Sequence, residues 1–347
     1  VSLGAVPQLV LIPDTRLDDL SRVAALIERA EPRVARRFLQ LIEGTTSLQS
    51  LETVAGLLEV GNIPAALAEF GGVAEGLATS LELAYRTSGL NAAEVLRSQV
   101  DTVFDFNSLN RRSVAALERE RLRLVAEFTA EQRVASRILL RDAFGRGLAP
   151  IEQARILKGS IGLTAKQSQG VVNFRRLLEE GSERSLRTVL SRQNRDRRFD
   201  PSIRGAIRGD RVLSATQIDR MVERNRERAV QLRARTIART ETVAAVHAGD
   251  EELWRQAIED GVIQADQVVS TWHIAFKNVR PSHVAMNNQK RPFGVPFLSG
   301  DGNQLRFPGD PRGPASDTIN CQCVVGREII RGDLPPRASV AQPLAAG

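Results

Sequence analysis

Apolar positions recur at intervals of three and four along most of this chain, the spacing of helices that bury one face. Leu17, Leu20, Val23, Leu26 and Ile27 form the first such stripe, with Thr15 as its expected N-cap and Asp18 and Asp19 in the first turn. Pro32 is expected to break or kink this helix, which resumes over Val34 to Ile42 and stops before Gly44. Shorter helical pieces follow around Leu48–Leu58, Ala65–Tyr85 and Ala92–Val103, punctuated by glycines. Asn110 or Ser113 then opens a helix through Val114, Leu117, Leu122 and Val125. Three later starts share one chemistry: Thr129 with Gln132, Thr164 with Gln167, and Ser214 with Gln217. Each pairs a hydroxyl N-cap with a glutamine three residues on, an arrangement that satisfies two orphan backbone donors. Between the first two, Pro150 stands at a first helical position and Gly159 at a stop.

The third start begins the longest pattern, from Ser214 to about Gly249, with Ile218, Val222, Ala229, Leu232 and Ile237 as its apolar stripe. Arg220, Arg224 and Arg228 line another face, with Arg235 and Arg239 beyond. After Gly249 the pattern changes: Trp254–Ile258 reads as a short helix and Val268–Trp272 as a strand. Loops and short strands follow to Val325. Val1–Ile12 is apolar without a helical period, an arm or edge strand, and the tail from Arg331 has paired prolines and small residues. The expected fold is therefore mainly α. A helical N-terminal region (1–103) precedes a helical middle domain with a basic loop (104–212). A long connecting helix (213–249) leads to a small α+β C-terminal domain (250–330) and a tail (331–347).

Composition supports this picture. The 347 residues are 42% hydrophobic but only 4% aromatic, so cores must rest on Leu, Val, Ala and Ile. No apolar run approaches the ~20 residues that span a bilayer, and the first residues lack a signal-peptide layout. Two cysteines make no disulfide framework, which points to a reducing compartment. Charge is localised: Glu183–Arg239 holds 16 arginines against seven acidic residues, +9, leaving −2 for the rest of a chain whose net charge is +7. Arginine in place of lysine favours planar recognition of phosphate or carboxylate.

Two stretches carry candidate chemistry. The first is Arg306–Pro314, whose prolines and glycines demand a shaped loop, followed by Asn320-Cys321-Gln322-Cys323. On an extended segment both thiols face one way. Zinc would suit them, with His283 and also His273 as further ligands, but the spacing fits no zinc-finger pattern. The reading preferred on sequence is a structural pair of buried thiols, with no cofactor. The second stretch is the cluster Arg192, Arg195, Arg197, Arg198, Arg204, Arg208 and Arg211, interrupted by Asp196, Asp200, Pro201 and Asp210. It reads as an exposed loop or hairpin between helices that binds DNA phosphates without reading sequence, or else is a solvated surface or a rim that pairs with an acidic partner protein. A phosphate-binding Gly-rich loop, a G-x-S-x-G elbow and an H-E-x-x-H helix are all missing, and three histidines leave little room for a triad. Arg331-Gly332-Asp333 is taken as a chance tripeptide.

Read together, these pieces resemble the Mu F-like family of phage minor head (head morphogenesis) proteins. The resemblance rests on Ile237-Ala238-Arg239-Thr240-Glu241, Trp272, Arg280-Pro281-Ser282-His283 and Asn287-Asn288-Gln289. Phe297, Phe307-Pro308-Gly309-Asp310-Pro311 and Ile319-Asn320-Cys321-Gln322-Cys323 complete it. It extends upstream to Phe104–Asn107, Ile161–Thr164 and Arg197–Asp200, and does not reach the first hundred residues. Where the family carries an acidic residue and an extra arginine, this chain has Phe276, Lys277 and Asn278. The resemblance implies a virion protein at the portal vertex inside the capsid, made in the host cytoplasm during assembly. It further implies contact with the portal protein, packaged double-stranded DNA and other head proteins, no membrane, and no enzymatic activity. Arg239, Glu241, Trp272, Arg280, His283, Pro308, Gly309, Asp310, Asn320, Cys321 and Cys323 would then be structural motif residues. The competing expectation is a zinc-binding or toxin-like catalytic domain centred on His283, Cys321 and Cys323.

Overall fold

Helical periodicity dominates the computed structural model as it does the sequence. The structure describes residues 19–44, 48–68, 72–100, 103–274 and 279–330. The apolar arm, the Thr15 cap, Phe276–Asn278 and the tail with Arg331-Gly332-Asp333 lie outside the described residues. Among the described residues are twelve α-helices: α1 (Asp19–Gly44), α2 (Leu48–Glu59), α3 (Ile63–Ala68), α4 (Val73–Gln99), α5 (Arg111–Gly145), α6 (Pro150–Ser160), α7 (Ala165–Glu180), α8 (Glu183–Ser191), α9 (Asp200–Ile207), α10 (Ala215–Glu259), α11 (Pro281–Val284) and α12 (Ala315–Thr318). Five short strands follow α10: β1 (Val268–His273), β2 (Lys290–Pro292), β3 (Phe297–Leu298), β4 (Gln304–Leu305) and β5 (Val324–Ile329). The protein is mainly α, with its few antiparallel strands in the C-terminal part. No helix among the described residues is long and apolar enough to cross a membrane.

The chain forms two compact units, each drawn from separated stretches. The described residues of one fall within Val1–Glu31, Leu81–Ala115 and Arg239–Gly347; those of the other within Pro32–Ser80 and Ala116–Ala238. Helices α1, α4, α5 and α10 contribute to both. Pro32, expected to interrupt a helix, lies inside an unbroken α1.

The unit containing Ala116–Ala238 has a core of Leu163, Phe174, Leu178, Leu186, Val189, Ile203, Met221 and Val222, from α7 to α10 and their connections. Two of the three expected capping boxes form. The Thr164 hydroxyl accepts from the Gln167 N–H while the Gln167 amide accepts from the Thr164 N–H, both at 3.0 Å. Ser214 and Gln217 exchange the same pair of bonds. The third does not exist, because α5 runs straight through Thr129. Its apolar spacing continues through Leu124 and Phe128 with no breaker, so propagation costs less than a fresh start. Gln132 is buried instead: its amide donates to the Ser160 carbonyl (2.9 Å) and accepts from the Gly162 N–H (2.9 Å). It thereby satisfies backbone groups where α6 ends.

In the other unit, α10 continues ten residues past Gly249 and absorbs the short helix expected at Trp254–Ile258. Gly249 is no terminator. A Cβ there would collide with the Tyr85 carbonyl, so the glycine permits a close helix approach. The Phe104–Asn107 segment is clasped to α10 by Gln256, which accepts from the Asn107 N–H (3.0 Å) and donates to its carbonyl (3.1 Å). Arg112 grips Glu252 through Nε and Nη2. Strand β1 pairs antiparallel with β2 and β5, placing Trp272 opposite Val325, and β3 pairs with β4. A small core gathers Trp272, Met286, Phe297, Leu305, Cys321, Cys323 and Val325.

Candidate functional site

The C-terminal site is assembled by short elements whose backbone is directed at a few fixed points. Pro281 begins α11 and places His283 in its only turn. Asn320 takes a left-handed conformation (φ 57°) after α12, a turn that asparagine tolerates better than most residues. That turn delivers Cys321 and Cys323 to one interior point. Their Sγ atoms lie 3.6 and 3.4 Å from His283 Nδ1. His283, Cys321 and Cys323 are only 1%, 2% and 3% exposed. Trp272 stands edge-on to the imidazole, with ring centres 5.4 Å apart, and Phe297 packs against Trp272 in turn, with ring centres 5.2 Å apart.

On the far side of the ring, His283 Nε2 is 3.5 Å from Asp317 Oδ1. Asp317 is itself held by the Ser282 hydroxyl and the Asn303 amide, both at 2.9 Å. Burial raises the Asp317 pKa, but the hydrogen bonds from Asn303 and Ser282 outweigh it and leave the carboxyl below its ordinary value. The two thiols are tied to each other. A hydrogen bond from Cys321 to Cys323 pushes Cys321 up and Cys323 down, with His283 assisting the second shift. Two sulfurs and an imidazole nitrogen within 4.8 Å of one another form a metal-ligand constellation, and no other such group of three exists among the described residues.

His273 is not brought to this point. It follows Trp272 on β1, and successive strand residues face opposite sides of a sheet. Asp317 and Asn303 escaped sequence reasoning, since nothing in their local context distinguishes them from turn residues; Ser282 entered only as part of the Arg280–His283 motif, with no role of its own.

The remaining motif residues secure this unit to itself. Asp310 is the hub of the proline-glycine loop. Its carboxylate accepts from the Arg306 N–H (3.0 Å), Arg306 Nε (2.9 Å) and Nη2 (2.7 Å), and the Arg312 N–H (3.1 Å). Burial raises its pKa and the Arg306 bonds lower it, with a net shift downward. Gly309 (φ 77°) follows Pro308 and brings loop backbone against Ala244 of α10, where a Cβ would be 2.9 Å from the Ala244 nitrogen. The Asn320 N–H donates to Thr240 Oγ1 (3.0 Å), and Arg280 donates to the Ile319 carbonyl. Arg239 pairs with Glu31 at 3.0 Å, and Glu241 is half-buried on α10.

His247, unremarked in the sequence, is fully buried with both nitrogens committed. Nδ1 donates to the Val243 carbonyl (2.8 Å), and Nε2 accepts from the Val325 N–H (3.1 Å). Burial pushes its pKa down to about 3, so the ring is neutral, and Phe307 stacks on it. Beside it Arg327 is buried against Asp250.

The arginine cluster lies in the other unit. Arg192 reaches the Gly170 carbonyl (3.1 Å) and lies over the Phe174 ring, while Arg195 forks onto Asp200 at 2.9 and 3.0 Å. Both are engaged in the fold. Arg198 pairs with Asp196, whose pKa is drawn down to about 2 chiefly by that bond, yet Arg198 is 73% exposed. Arg204 and Arg208 are 61% and 63% exposed, and Arg197 and Arg211 also face solvent. Five guanidinium groups thus face solvent on this stretch, although Arg198 pairs with Asp196, Arg208 with Asp210 at 2.7 Å, and Arg204 lies 3.9 Å from Asp200.

Comparison with known proteins finds no matching family model, no similar curated protein and no similar solved structure. The family resemblance therefore rests on the motifs themselves.

Proposed function

We propose that this chain is a minor head protein of a tailed double-stranded DNA phage. It would sit at the portal vertex inside the capsid and act in head morphogenesis and in genome packaging or ejection, binding portal protein and packaged DNA. One observation carries the reading: motif residues spread from Arg239 to Cys323 fall in one unit, and their polar groups are taken up by partners within that unit. That is the behaviour of a structural module. The catalytic alternative has less behind it, because the atoms it needs on His283, Cys321 and Cys323 are almost wholly buried.

Contact with DNA is assigned to Arg197, Arg198, Arg204, Arg208 and Arg211, whose guanidinium groups can meet phosphates without reading bases. If each neutralises one phosphate, duplex affinity should fall with salt at a log–log slope of roughly −4 to −5. Replacing Arg197, Arg198, Arg204 and Arg208 with glutamine should flatten that slope by three to four, at roughly 0.9 per phosphate. An unchanged slope would remove the DNA face from the proposal. Density for this chain away from the portal vertex of an assembled particle would overturn the placement.

A further inference from the structure

We propose that His283, Cys321 and Cys323 bind one zinc ion that locks the C-terminal part of the chain. The inference is independent of the virion reading and rests on distances. In a tetrahedral site with Zn–S near 2.3 Å and Zn–N near 2.05 Å, each sulfur lies about 3.6 Å from the nitrogen. Here the two separations are 3.6 and 3.4 Å, and all three donor atoms fall within 4.8 Å of one another. Thiol–imidazole hydrogen bonding accounts for one sulfur at this distance; a shared metal accounts for both sulfurs around the same nitrogen at once.

Three further observations point the same way. The ring is turned so that Nδ1 faces the sulfurs and Nε2 faces Asp317 at 3.5 Å. A ligating histidine is commonly oriented by a carboxylate on its second nitrogen in this manner. Nε2 is buried and makes no hydrogen bond within normal reach, so a small tightening of the site would satisfy it. Charge also balances: two thiolates and neutral imidazole around Zn²⁺ sum to zero. A neutral complex suits a wall of Trp272, Met286, Phe297 and Leu305. Three protein donors leave the fourth position for water or an added thiol.

The purpose is mechanical. The ligands come from α11 and from the segment between α12 and β5, and the surrounding strands are two to six residues long. Such short elements bury little apolar surface, and small modules of this kind commonly draw folding free energy from a structural metal.

The test uses the full chain purified without chelator. Elemental analysis should find about one zinc per chain, and Cys321→Ser or Cys323→Ser should lower occupancy at least tenfold. Asp317→Asn keeps all three ligands and should weaken zinc affinity by about 10–100-fold through the imidazole alone. Because the cysteine variants risk misfolding, wild-type protein is also reconstituted with Co²⁺. A thiolate-to-cobalt charge-transfer band with intense tetrahedral d–d absorption is expected, displaced by added zinc. Wild-type protein with native tryptophan emission but neither zinc nor the cobalt band would overturn the proposal. So would a Cys321–Cys323 disulfide in chain prepared under reducing conditions.

Discussion

Replacing Asp310 with alanine tests whether the proline-glycine loop is held by one buried carboxylate. Four donors converge on it, two backbone N–H groups and two guanidinium nitrogens of Arg306. Removing one partner of a buried ion pair costs about 3–5 kcal/mol, since the other charge is left behind. Arg306 keeps a second carboxylate in Glu251, 3.6 Å from its Nη1, which places the expected loss at the low end, about 3 kcal/mol. Summing the four bonds separately would overcount, because they share one acceptor group. Both tryptophans of the sequence, Trp254 and Trp272, are fully buried in this unit, so their emission reports its unfolding selectively. At roughly 2 kcal/mol per M of urea, the emission midpoint should drop by about 1.5 M. Asp310→Asn, which keeps the shape and one acceptor, should lose about half as much. The folded pKa of Asp310 is depressed, so its stabilisation is complete above the unfolded value of about 3.9 and is lost as pH falls through the folded one. The gap between wild type and the asparagine variant should therefore hold from pH 7 to about 5 and close below about 4. A midpoint shift under about 0.3 M for the alanine variant would refute the hub.

Two other predictions follow from buried polar groups. His247 is neutral when folded, with a pKa near 3, but titrates near 6.5 when unfolded, so the unfolded chain takes up the extra proton. Between about pH 6 and 4 this group alone should lower stability by about 1.4 kcal/mol per pH unit. His247→Gln should flatten that slope in urea titrations of tryptophan emission, and equal slopes would contradict the neutral assignment. Gln132→Ala should cost about 1–3 kcal/mol by leaving the Gly162 N–H without its acceptor. Amide exchange at Gly162 should quicken accordingly; unchanged protection would show that Gln132 is not the clasp.

The sequence by itself determined whatever depends on near neighbours. Period, caps and β-branched content are local, so the helical class, the boxes at Thr164 and Ser214, and strand β1 were legible. So was the proline-glycine loop, because proline and glycine act on their own backbone angles. The same locality misled at Thr129 and Gly249. A capping signature and a glycine each have a second use, serving a distant backbone or letting another helix approach, and only packing selects between the uses. The interleaving of the two units also has no local signal, since it depends on which of several apolar stripes meet. At the candidate site the sequence supplied the two thiols and His283, with His273 as a secondary candidate. The tertiary structure chose between them, because strand alternation turns His273 away from Trp272 while the turn at Asn320 carries both sulfurs to His283. Asp317, whose carboxylate faces Nε2 of that ring, became visible only through its hydrogen bonds with Ser282 and Asn303.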